Sequence, residues 1–127
     1  MQLLLDTHVF LWWESGDPRL GAVARQTIAD RANQIFVSAA SVWEIATKRR
    51  TGKLAFAGSP VGAIGKNGFF ELPIMPMDAE LAGDLDWGHR DPFDRLLVAQ
   101  AMRLRGALVT ADTVMRAFEP AVTLWAG

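Results

Sequence analysis

The sequence predicts a three-layer α/β domain built on a small, mostly parallel sheet, and three observations point to it. Short apolar runs recur at residues 2–5, 35–37, 107–110 and 122–125, each too brief for a helix. Longer amphipathic segments alternate with them. Two of those segments follow the helix-starting pairs Asp17-Pro18 and Asp91-Pro92. Strands that alternate with helices form a parallel sheet covered on both faces. A chain of 127 residues is expected to make one such domain, over residues 1–127.

The elements follow in order. Residues 2–5 read as a buried strand ending at Asp6, and Thr7 to Glu14 as a short helix. Asp17 is placed as N-cap and Pro18 at the first turn of a second helix, in which Leu20, Val23, Ala24, Thr27 and Ile28 repeat at helical spacing. Gln34 to Ser38 is a second strand that passes directly into a helix reaching Arg50. The glycine-rich stretch from Gly52 to Gly68 is predicted to hold a weaker helix near 60–66. Residues 69–76 read as a strand or extended connector, and Met77 to Asp86 as a short helix. From Asp91-Pro92 the apolar stripe Phe93, Leu96, Leu97, Ala101 and Leu104 runs until Gly106 closes the helix. Ala107 to Thr110 and Val122 to Trp125 are further strands, with a short helix at Thr113 to Phe118 between them.

Composition narrows the chemistry. There is no cysteine, which excludes disulfides, thiolate zinc sites, iron–sulfur clusters and a cysteine nucleophile. Half the residues are apolar and acids nearly balance bases, 14 against 13, as in an ordinary folded domain. The first residues lack the basic region of a secretory signal and no long uncharged run occurs, so a cytoplasmic protein that leaves membranes alone is expected. No phosphate-cradling or nucleophile-elbow glycine motif is present.

What remains is acid. Open parallel sheets gather ligands at the C-terminal ends of their strands. Asp6, Asp112, Asp91 with Asp94, and Glu44 all fall there, from four separate segments. Clustered carboxylates repel one another, so the grouping makes physical sense mainly when a divalent cation neutralises it. Oxygen donors without cysteine suit Mg²⁺ or Mn²⁺. Asp6, Asp91 and Asp112 could each instead cap the helix that follows. Asp94 suits the positive end of a helix dipole. Glu44 lies in an apolar stretch and needs a partner, either a cation or an arginine. His8 and His89 read as local hydrogen-bonding residues, the five tryptophans as core or interface anchors rather than base-stacking platforms, and Lys48-Arg49-Arg50 with Lys53 as a solvated helix end.

The segments Leu3-Leu4-Leu5-Asp6-Thr7-His8, Ser41-Val-Trp-Glu44-Ile-Ala-Thr-Lys48, His89-Arg-Asp-Pro-Phe-Asp94-Arg and Leu108-Val-Thr-Ala-Asp112 stand in order along the chain. In them the chain closely resembles the PIN-domain ribonucleases that serve as VapC-type toxins of type II toxin–antitoxin modules. By that resemblance Asp6, Glu44, Asp94 and Asp112 correspond to the family's catalytic, metal-holding acidic quartet, with Asp91 a further acid beside them. The resemblance implies RNA hydrolysis that depends on Mg²⁺ or Mn²⁺, with a metal-activated water as nucleophile. It also implies a cognate VapB-type antitoxin lying over the site, and homodimerisation. Thr7 and Thr110 are candidate hydroxyls lining the site.

Setting the quartet aside takes the net charge from −1 to +3, the sign an RNA-facing surface needs. An aspartyl-nucleophile phosphatase would require a second Asp two residues after Asp6, where His8 stands. A catalytically silent PIN-like module that only binds RNA or protein is the remaining alternative. It gains little from carboxylates that repel one another. Self-association and antitoxin binding are expected through apolar surface on the first two helices and the Trp43 to Gly68 region.

Overall fold

The computed structural model describes all 127 residues. Five strands, β1 (Gln2–Leu5), β2 (Gln34–Ser38), β3 (Phe70–Leu72), β4 (Ala107–Thr110) and β5 (Thr123–Trp125), form one sheet in the order β3-β2-β1-β4-β5. Every pairing in it is parallel. Seven helices connect and cover the strands: α1 (Thr7–Ser15), α2 (Ala22–Ala29), α3 (Ala39–Arg50), α4 (Pro60–Lys66), α5 (Pro76–Asp84), α6 (Pro92–Leu104) and α7 (Thr113–Ala117).

Strand β1 shows why the sheet has two covered faces. Leu3 and Leu5 point into a core with Val9, Phe10, Ala24, Ile28, Ile45 and Ile64. Leu4 points into the opposite core with Leu97, Val98, Ala101, Leu108 and Met115. All three leucines are fully buried, each contributing about 2 kcal/mol of apolar transfer. A continuous apolar run is what a strand covered on both faces requires.

The path of the chain then sets where a ligand can bind. It winds from β1 outward to β2 and β3, returns through α5 and α6, and lays β4 on the other side of β1. The winding direction reverses between β1 and β4, and that reversal opens a crevice beyond their C-terminal ends. Asp6 leaves β1 there, and Asp112 follows β4.

Two sequence expectations are corrected. The second helix begins at Ala22 after Gly21, not at Pro18. Asp17 caps only a turn, because its carboxylate accepts from the Arg19 backbone amide at 2.9 Å and from the Arg19 guanidinium. Helix α6 is closed by Arg105, in the left-handed conformation (φ 55°), one residue before the Gly106 expected to close it. Gly106 is needed for another reason: a Cβ there would lie 2.4 Å from the Gln2 carbonyl oxygen of β1.

Candidate active site

Four elements deliver the acids. Asp6 is the N-cap of α1, Asp91 of α6 and Asp112 of α7, and each accepts backbone amides of the helix it starts. For α1 and α7, which directly follow β1 and β4, capping and convergence are one arrangement, since helices after parallel strands begin at the same sheet edge. Asp94 lies in the first turn of α6, and Glu44 faces inward from the second turn of α3. A cavity of about 130 Å³ is lined by Asp6, Thr7, His8, Glu44, Lys48, Asp91, Asp94, Asp112 and Met115. All five acids singled out in the sequence thus border one cavity.

Asp6 is the most enclosed. One oxygen accepts from the Val9 amide at 2.8 Å and the other from the Thr110 hydroxyl at 2.5 Å. Burial nevertheless pushes its carboxyl above the ordinary value, with the Asp112 charge adding to the effect and the hydrogen bonds opposing it. Thr110 also accepts the Asp112 amide at 3.0 Å, tying both acids to the end of β4. It is fully buried behind Asp6 and does not line the cavity, contrary to the role considered for its hydroxyl. Thr7 does line it, and shares a buried hydrogen bond of 2.9 Å with Ser41 of α3.

Asp94 is held by His89, whose Nε2 stands 2.7 Å from its Oδ2. Burial raises the Asp94 carboxyl to about 6, with repulsion from Asp91 and Asp112 adding and His89 opposing. Asp91 gives one oxygen to the amides of Phe93 and Asp94, at 2.9 and 3.1 Å. Asp112 accepts from Val114 and Met115 at 2.8 and 3.3 Å. Glu44, nearly buried, is paired at 2.6 Å with Lys48 one turn further along α3. Its partner among the protein's own groups is thus a lysine, not the arginine the sequence suggested, and Lys48 is no solvated helix-end charge. Arg49 likewise is occupied, donating to the Phe56 and Gly58 carbonyls.

Arg95 went unnoticed in the sequence, yet it organises the approach to the site. Its guanidinium donates to the carbonyls of Ala82, Gly83, Leu85, Trp87 and His89, gathering the loop before α6 around one side chain. The loop's last residues include His89, so Arg95 fixes the ring that meets Asp94. An Arg next to Asp94 in a loop-to-helix junction was the only available signal.

The donor set fits a hard divalent cation. It is carboxylate oxygen throughout, and burial and mutual repulsion hold two of its members above the ordinary carboxylate range, a cost that a cation relieves. As the side chains stand, no three His, Asp or Glu residues converge closely enough to grip one ion. Glu44 gives only Oε2 to Lys48 and Asp94 only Oδ2 to His89, so each keeps its other carboxylate oxygen for a shared ion.

Known proteins share this family and fold. Residues 3–119 match the family model described as PIN domain. Ribonuclease VapC22 of Mycobacterium tuberculosis is 27% identical over 135 aligned positions, covering 97% of this chain and 98% of the relative. Among solved structures, VapBC2 from Rickettsia felis bound to a DNA fragment from its promoter superposes with a TM-score of 0.69 at 13% identity, covering all of both chains. VapBC-1 from nontypeable Haemophilus influenzae gives 0.66 at 12% identity, covering 98% of this chain and 97% of that one. At such identities these structures establish likeness of fold.

Proposed function

The chain belongs to the PIN-domain family, and on that footing we propose that it is a ribonuclease toxin, hydrolysing RNA phosphodiester bonds with Mg²⁺ or Mn²⁺ and restrained by a cognate VapB-type antitoxin. The observation that carries the reading is the bordering of one cavity by Asp6, Glu44, Asp91, Asp94 and Asp112. A pure binding module has no use for five carboxylates on one cavity, least of all for Asp6 and Asp94, whose ionisation the fold itself opposes. The whole chain, residues 1–127, acts as one PIN domain, as a homodimer in the cytoplasm. No helix is long and apolar enough to cross a membrane.

Asp6, Glu44, Asp94 and Asp112 are the residues that would hold the cation, with Asp91 offering the oxygen its backbone amides leave free. When bound, such an ion polarises a phosphoryl oxygen and lowers the pKa of water. The chain's own groups orient the acids: Thr110 fixes Asp6, His89 fixes Asp94, and the helix amides of α6 and α7 fix Asp91 and Asp112. Lys48 supplies a cation at the cavity wall that can meet the phosphate as Glu44 turns away from it.

The test is cleavage of RNA by the purified protein. Asp6→Asn and Asp94→Asn each lose about a hundredfold or more of the rate, because an amide cannot supply the anionic oxygen that a hard cation prefers. Wild-type rates in both variants would refute the assignment.

A further inference from the structure

Three depressions, the acid cavity among them, meet at one side chain. His8 borders the acid cavity, a cleft of about 280 Å³ formed with Asp6, Trp12, Arg19, Ala111 and Asp112, and a groove of about 740 Å³ that continues past Lys48 and Lys53. His8 and Trp12 lie one turn apart on the same face of α1, their ring centroids 6.4 Å apart. The Arg19 guanidinium sits 5.1 Å from the centre of the Trp12 ring. Asp17 holds it there through two nitrogens, Nε and Nη2, with Nη2 at 2.7 Å. Arg19 nevertheless keeps 69% of its side chain exposed, so it is a cation fixed in place yet open to solvent.

We propose that His8, Trp12 and Arg19 form a nucleotide subsite that holds one unpaired RNA residue beside the acid cavity. This rests on the ribonuclease reading and adds how the strand is held. A strand approaching five carboxylates needs positive charge beside them, and Arg19, Lys48 and Lys53, which line one groove, supply it. Unpaired bases stack on aromatic rings and on guanidinium planes, and the subsite offers both. The cleft, of about 280 Å³, offers room for one nucleotide of a strand. The ion pair to Asp17 fixes the guanidinium before RNA arrives, which reduces the ordering cost of binding.

Two measurements on the full chain test the proposal. The first is binding of a fluorescein-labelled mixed-sequence single-stranded RNA of about 12 nucleotides, within the range of single-strand site sizes. It is carried out in an Asp94→Asn background to prevent cleavage. Trp12→Ala is expected to weaken binding about tenfold or more, and Trp12→Phe to retain most of it. Arg19→Ala is expected to lower the slope of log affinity against log salt by about 0.7, the value of one lost phosphate contact on a single strand. The second measurement is cleavage of the same RNA by the otherwise wild-type chain, in which Trp12→Phe, Arg19→Ala and Arg19→Glu raise KM in that ascending order and leave kcat within about threefold. Because Arg19 is exposed, its variants fold even where Trp12→Ala does not. Unchanged affinity, salt slope and KM in Arg19→Glu overturn the subsite. A wild-type chain that binds this RNA but never cuts it overturns the ribonuclease reading instead, and the binding series still decides the subsite.

Discussion

At Asp94 burial outweighs the hydrogen bond from His89, and the carboxyl rises from 3.8 to about 6. A carboxyl whose folded pKa lies above its unfolded one is protonated in both states in strong acid. As pH climbs through this interval, ionisation increasingly favours the unfolded chain, and the full cost is present above about 6. Asp94→Asn should therefore raise the melting temperature of the EDTA-treated protein near neutral pH by about 2–5 °C, or about 1 kcal/mol, with the gain fading towards pH 4. A variant that melts lower than wild type at neutral pH contradicts this. Glu44 behaves differently, because its partner Lys48 is 38% exposed and can swing into water when released. Glu44→Gln should cost at most about 1 kcal/mol in EDTA, yet reduce the extra stability that added Mn²⁺ confers. Melting curves with and without Mn²⁺ check it; a variant that keeps the whole metal-induced shift shows that Glu44 is no ligand. Four of the acids were legible because each follows a strand or lies at the start of a helix, and Glu44 because it stands in an apolar stretch. Their partners were less so. The four-residue spacing of Glu44 and Lys48 was visible in the sequence, whereas the contact of Thr110 with Asp6 spans 104 residues and depends on β1 pairing with β4.

Among the elements, the Asp-Pro pair shows what local signals can and cannot do. At Asp91 the following residues begin an apolar stripe and Asp91 accepts the amides of Phe93 and Asp94, so the helix starts at once. At Asp17 the same pair meets Arg19, which claims the carboxylate, and Gly21, so the helix waits until Ala22. Gly21 and Gly106 also mark close approaches that no periodicity reveals. A Cβ on Gly106 would lie 2.4 Å from one β1 backbone atom and 3.1 Å from the next. Since backbone in a paired strand cannot yield as a side-chain tip can, Gly106→Ala is expected to lower stability by about 2 kcal/mol or more, read as a fall in melting temperature. An unchanged melting temperature would mean that β1 and β4 separate at no cost. The loop gathered by Arg95 carries a second expectation. Arg95→Ala leaves five carbonyls without their donor and frees His89, costing about 2–3 kcal/mol and lowering RNA cleavage. Arg95→Lys should restore little of either, because an ammonium lacks the planar fork that reaches separate carbonyls; full recovery of both would show that charge alone suffices.

For the molecule as a whole, the alternation of strands and helices was enough to read a parallel three-layer fold, while the strand order came from the crossings of the chain. That order creates the crevice between β1 and β4, and the helix starts that rim it supply the acids. Outside the crevice, Trp43 and Val61 remain half or more exposed beside an apolar groove of about 470 Å³ that also includes Val42, Ala46, Ile64 and Leu72. Exposed large apolar side chains gathered in one place mark an interaction surface. The chain should therefore run as a dimer at micromolar concentration in light scattering, and Trp43→Glu should shift it towards monomer; a wild type that is monomeric throughout contradicts the proposed assembly. The central claim, that the gathered carboxylates serve a cation that cuts RNA, is tested most directly by following cleavage of single-stranded RNA after EDTA treatment and again after Mn²⁺ is restored. The account predicts no cleavage in EDTA and full recovery with Mn²⁺ in the wild type, with almost none in Asp6→Asn under either condition. Undiminished cleavage in excess EDTA would contradict it.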